Sequence, residues 1–177
     1  MLFRSLNDAS ADGLGGRIAF LGSYDTQDPG RPAFNLKFDL SSLDFREAFR
    51  TVNTFQALAP IGRFINGSFN STLIMDGYLT PSLMPEFNTL NAEGFLQTLN
   101  ATISSIKPLE NIGRKLNISE LTEQWQISDT KNWFEVKNGL VEVKPFDINV
   151  KGIPMTIAGQ HGLDITTMDY AIQASIP

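Results

Sequence analysis

Residues 132–143 read NWFEVKNGLVEV, and this stretch decides the fold class. Asn138-Gly139 is the strongest short signal for a two-residue β-hairpin turn, because both central residues of such a turn take positive φ. A tight turn there sets Lys137 opposite Leu140, Val136 opposite Val141, Glu135 opposite Glu142 and Phe134 opposite Val143. Side chains alternate across a strand, so Phe134, Val136, Val141 and Val143 share one face and the charges take the other. Glu135 opposite Glu142 is a like-charge pair, which Lys137 and Lys144 on the diagonals offset. The ribbon is apolar on one side only, and the rest of the chain extends the same pattern.

Downstream, the apolar positions switch parity from Val141 and Val143 to Phe146, Ile148 and Val150, across Pro145. A one-residue slip moves every side chain to the other face, and proline has no N–H for the ladder, so a bulge or bend is expected there. Lys151-Gly152 then turns the chain and sets Ile153, Met155 and Ile157 opposite Val150, Ile148 and Phe146. After a loop GQHGLDITT, Met168, Tyr170, Ile172, Ala174 and Ile176 mark the last strand.

Upstream, Leu121, Trp125 and Ile127 lead into the hairpin, with Asp129-Thr130-Lys131 as a turn. Pro108 opens a short helix with Leu109, Ile112 and Leu116 on one side. Phe95, Leu99, Ala101 and Ile103 are expected on one face of a strand, and residues 79–94, with Pro81 and Pro85, form a long irregular crossing. Phe69, Leu73, Met75 and Leu79 alternate as a strand. The period changes before it: Phe45, Ala48, Phe49 and Val52 form a helical stripe with Ser42 or Asp44 as N-cap, and Phe55 to Phe64 continues helical after a break, with Pro60 in the first turn of a new segment and Asn66-Gly67 ending it. Phe34, Leu36, Phe38 and Leu40 form one early strand, and Ile18, Phe20, Gly22 and Tyr24 another. Residues 1–13 are small and polar and are expected to fray as an entry segment, leaving residues 14–177 as a single domain. The expected fold is mainly β, of α+β type: about nine strands in a curved, partly open antiparallel sheet, a half-barrel or groove, with about three short helices.

Composition narrows the chemistry. The 177 residues carry 14 Lys and Arg against 19 Asp and Glu, a net charge of -5, which argues against a nucleic-acid partner. With no cysteine and one histidine, His161, neither a thiol nucleophile nor a histidine-paired metal site is available. His161, between Gly159 and Gly162, reads as a polar turn residue. The carboxylate pairs Asp25/Asp28, Asp44/Glu47 and Glu135/Glu142 read as a turn, a helix cap and a solvated hairpin face. Gly13, Gly15 and Gly16 do not continue into a dinucleotide fingerprint, since position 18 is Ile. No apolar run approaches the roughly 20 residues that span a bilayer. No enzyme, cofactor or metal is expected.

The apolar stripe supports two readings. The plain one is a dry core. The other is a trough that holds hydrocarbon, lined by Phe20, Phe34, Leu36, Phe38, Phe69, Leu73, Met75, Phe134, Val136, Val141, Val143, Ile148, Met155 and Ile157; each buried methylene contributes roughly 0.8 kcal/mol with no specific contact needed.

FNLKFDLSSLDFREAF, FQALAPIGRFINGSFNSTLIMDG and, above all, KNGLVEVKPFD with the following GQHGLD resemble the C-terminal region of AsmA-like proteins of bacterial envelopes, over residues 34–177. The resemblance implies a soluble piece of a longer protein, anchored in the inner membrane of a Gram-negative bacterium by an N-terminal helix and otherwise periplasmic. It is similar to bridge-like lipid transfer proteins, in which a curved sheet forms an elongated groove, and it implies a role in phospholipid transport and outer-membrane homeostasis. The implied partners are lipid acyl chains, the preceding part of the same chain and envelope proteins. The alternative is an assembly scaffold with a closed core that pairs through its sheet edges.

Overall fold

A strand that is apolar on one side is stable only beside others of its kind, and here nine lie side by side in chain order. They are β1 (Phe3–Gly13), β2 (Gly16–Asp25), β3 (Ala33–Asp44), β4 (Ile65–Tyr78), β5 (Asn91–Ile103), β6 (Trp125–Lys137), β7 (Leu140–Val150), β8 (Ile153–Gly162) and β9 (Met168–Ala174). The computed structural model describes residues 3–104 and 107–175. All neighbouring pairs are antiparallel, and the sheet stays open rather than closing into a barrel. Between β3 and β4 run α1 (Phe45–Thr51), α2 (Asn53–Leu58) and a 3-10 turn, Pro60–Phe64; between β5 and β6 run α3 (Lys107–Leu116) and a 3-10 turn, Ser119–Thr122.

The hairpin register is the expected one, from Lys137 opposite Leu140 to Phe134 opposite Val143. Asn138 and Gly139 have φ of 53° and 76°. The parity switch is a register shift between Val143 and Phe146, after which Phe146, Ile148 and Val150 face Ile157, Met155 and Ile153. Lys144 lies 3.3 Å from Glu135 and 3.0 Å from Glu142. The hydrogen bond to Glu142, ahead of that to Glu135, holds its pKa above the ordinary lysine value.

Four expectations change. Phe3–Gly13 does not fray but forms β1, paired with β2 from Phe3 opposite Asp25 to Gly13 opposite Gly16, so its backbone is hydrogen-bonded despite its polar sequence. Asn66-Gly67 does not end a helix but lies inside β4, next to a register shift before Phe69. Asp129-Thr130-Lys131 is no turn: it continues β6, with Asp129 at a φ of 54°. On β5, Ala101 and Ile103 face the core but Phe95 does not, because an irregularity between Thr98 and Ala101 changes parity; Leu96 faces the core instead. The side chains of Leu109, Ile112, Leu116 and Leu121, and Ile176, lie outside the described residues.

The helices α1 and α2 are too short to hold themselves together in water and depend on packing. Asp44 caps α1, its carboxylate accepting from the Glu47 N–H at 2.8 Å. Phe45 then lands on Phe69 of β4, ring centroids 4.5 Å apart, and Phe55 of α2 stacks on the same ring at 5.2 Å. Fully burying one such ring contributes about 1.5–3 kcal/mol. The crossing from Leu79 to Leu90 is a second cover: Leu79 bridges to Pro85, and Leu90 is buried.

Gly139→Val places a β-branched residue at positive φ and should cost about 2–3 kcal/mol, lowering the melting temperature by roughly 4–10 °C for a domain of this size. An unchanged melting temperature would show that position 139 does not require that conformation.

Candidate functional site

The apolar side of the sheet forms two clusters. One gathers Leu43, Phe45, Ala48, Ile65, Phe69 and Trp125 with Ile148, Val150, Ile153 and Met155. The other gathers Phe34, Ala57, Leu73, Met75, Leu90, Ala92, Val136, Val141 and Leu163. Between them runs a polar seam, where Ser71 lies opposite Leu96, Leu96 opposite Asn132, and Thr98 opposite Thr130. Ser71 and Thr98 are buried; the Ser71 hydroxyl donates to the Phe95 carbonyl at 2.7 Å. Asn132 Oδ1 is buried and has no hydrogen-bond partner among the described residues. Helix α2 joins the two clusters, with Phe55 packed against the first and Ala57 in the second.

The residues selected as a trough lining divide accordingly. Phe69, Ile148 and Met155 are buried in the first cluster, with Ile157 partly buried at its border. Phe34, Leu73, Met75, Val136 and Val141 are buried in the second, with Leu36, Phe38, Phe134 and Val143 partly buried against it. Phe20 stands outside both clusters, its ring 5.9 Å from Phe38. In the middle of the sheet, therefore, these side chains meet the chain's own helices.

The cover ends before β9. Its residues Met168, Tyr170 and Ile172 lie opposite His161, Gly159 and Ile157, on the apolar side, yet they are 62%, 37% and 42% exposed. An apolar margin continues past the covered clusters to the edge of the sheet.

His161 stands where cover and margin meet. It is no turn residue: it belongs to β8, opposite Val141, and is 2% exposed. Its Nε2 lies 3.0 Å from the Ala57 carbonyl oxygen and its Nδ1 lies 2.9 Å from the Tyr170 hydroxyl. A carbonyl can only accept, so Nε2 carries the proton and Nδ1 accepts from Tyr170. One imidazole thus ties the helical cover to β8 and to β9. Burial pushes His161 below its ordinary value of 6.5, the bond to Ala57 opposing more weakly, and burial pushes Tyr170 up to about 12. Gly159 makes room for this arrangement: a Cβ there would lie 2.4 Å from the Asp169 carbonyl oxygen and 2.7 Å from the Tyr170 ring. The two-residue alternation Met155, Ile157, Gly159, His161 carries the signal, but flanking glycines masked it as a loop.

The opposite face is mixed: Leu21 and Ile74 are exposed there on either side of Lys37, and an aromatic patch lies further along the sheet. Phe95 and Trp133 lie 5.3 Å apart, with the Lys131 ammonium 4.0 Å above the Phe95 ring. An open cleft of about 580 Å³ at the β1–β2 turn is lined by Asp12, Gly13, Gly15, Gly16, Arg17, Ser41 and Ser42, none of them from either cluster. Among the described residues no group of His, Asp or Glu is placed to hold a metal. No helix among them is long and apolar enough to cross a membrane. Comparison with family models, with curated proteins and with solved structures found no match.

His161 should give stability a pH dependence of known sign. Its folded pKa lies below the unfolded value, so the unfolded chain takes up the proton first. The contribution is complete above pH 6.5 and is lost as pH falls through and below that value. Between about pH 7 and pH 5 the melting temperature of the wild type should therefore drop more steeply than that of His161→Gln. Parallel curves would remove His161 from the titration.

Proposed function

We propose that the chain is a non-enzymatic module of AsmA-like type that shields lipid acyl chains along the apolar side of its sheet. It would work in the periplasmic part of an inner-membrane-anchored protein, serving phospholipid transport and outer-membrane homeostasis. The observation that carries this reading is the uncovered margin formed by Met168, Tyr170 and Ile172, which adjoins Ile157 and through it Phe146 in the register. A hydrocarbon chain laid on this margin gains roughly 0.8 kcal/mol per methylene removed from water and needs no catalytic or charged partner. The sequence resemblance over residues 34–177 supports the envelope setting.

The covered middle of the sheet favours a second reading, a scaffold with a closed core, because Phe69, Val136 and Val141 are 1%, 2% and 0% exposed.

The two readings part at the margin. In the lipid-shielding reading, a fluorescent fatty acid binds the purified chain saturably. Met168→Asp and Ile172→Asp each weaken that binding about tenfold, with circular dichroism unchanged. Met75→Asp, by contrast, buries an unpaired charge at a site only 6% exposed and should unfold the domain. Absence of saturable binding, or binding indifferent to both margin substitutions, would leave the scaffold reading standing.

A further inference from the structure

The free edge of β9 is a defined set of backbone groups. Ser175 N–H donates to the Pro154 carbonyl at 3.1 Å and Gly162 N–H donates to the Thr167 carbonyl at 3.0 Å, while Ala174 lies opposite Met155. In an antiparallel pair the residues that bond to a given neighbour alternate, so Asp169, Ala171 and Gln173 bond toward β8. The N–H and C=O groups of Met168, Tyr170, Ile172 and Ala174 therefore point away from the sheet, and among the described residues no strand lies beyond them.

Natural proteins blunt such edges with bulges, charges or proline. The other edge, β1, has a register shift between Leu6 and Ala9, and its sequence includes Arg4, Asp8 and Asp12. Strand β9, MDYAIQA, pairs with β8 without a shift, has no proline and carries a single charge, Asp169; all of its residues are exposed.

We propose that β9 pairs antiparallel with β9 of a second copy of this chain, centred on Ala171, joining two sheets into one. This register sets Tyr170 opposite the second copy's Ile172, Met168 opposite its Ala174 and Asp169 opposite its Gln173. Apolar side chains then meet apolar ones on one face, and no like charges face each other on the other. Every outward backbone group of β9 finds its counterpart. Centring on Tyr170 or Ile172 instead would leave Ala174 or Met168 without a β9 partner. The two-fold axis is perpendicular to the sheet, so the apolar sides of both copies lie on the same face. The contact closes on itself as a dimer and does not propagate.

The pairing of Asp169 with Gln173 supplies the test, because both side chains are exposed and a substitution at either should spare the monomer fold. Sedimentation velocity of the chain should show a concentration-dependent dimer within about 1–100 µM. Gln173→Asp puts two pairs of carboxylates opposite each other and should raise the dimer dissociation constant about tenfold; Gln173→Lys converts them to opposite-charge pairs and should lower it. Melting temperatures of both variants, measured at dilution, should match the wild type. A wild type that stays monomeric over that range overturns the proposal. So does a dimer that ignores both substitutions, or growth into open-ended polymers.

Discussion

A sheet with one apolar face in water must cover that face, and everything between β3 and β4 exists to do so. The cover is built from segments too short to be helical alone, so its order comes from the sheet. Phe45 and Phe55 both settle on the ring of Phe69, which is 1% exposed, and Asp44 fixes the direction in which α1 leaves the strand. The cover leaves β3 and reaches as far as β8, where the Ala57 carbonyl accepts from His161.

Two packed regions rather than one result from this. The seam of Ser71, Thr98, Thr130 and Asn132 crosses the central strands where an unbroken core would have aliphatic residues. Buried polar groups cost stability unless paired, and Ser71 meets that demand with a neighbouring carbonyl. Asn132 Oδ1 does not, which makes the seam the least satisfied part of the interior.

Most of the fold is written in simple alternation. Asn138-Gly139 and Lys151-Gly152 announce their turns because their backbone angles restrict the choice of residue, and Pro145 announces its bulge by the shifted parity of Phe146, Ile148 and Val150. The features that stayed hidden have a common physical cause. Where a non-glycine residue takes positive φ inside a strand, as Asp129 does, composition suggests a turn while the strand runs on. Where parity changes without proline, as between Thr98 and Ala101, a bulky residue such as Phe95 is assigned to the wrong side. Strand β1 is hidden because its order comes from hydrogen bonds to β2 rather than from its own apolar content. For the candidate site, the stripe of apolar residues was visible, but its separation into covered clusters and an open margin was not, since cover depends on how far the helices reach. His161 was visible as a unique residue and misplaced, because Gly159 serves the Tyr170 ring rather than a loop.

The strand order has a kinetic consequence. Because every strand pairs only with its neighbours in the chain, each hairpin closes over a short loop or a single insertion, and loop-closure entropy stays small at each step. A chain emerging from the ribosome can add strands to a growing edge as they appear, without waiting for a distant partner. The link between His161 and Ala57 stands apart from that order: it joins residues 104 positions apart. It can form only after β8 has been made, so this tie closes late, whereas Phe45 and Phe55 can meet Phe69 as soon as β4 is in place.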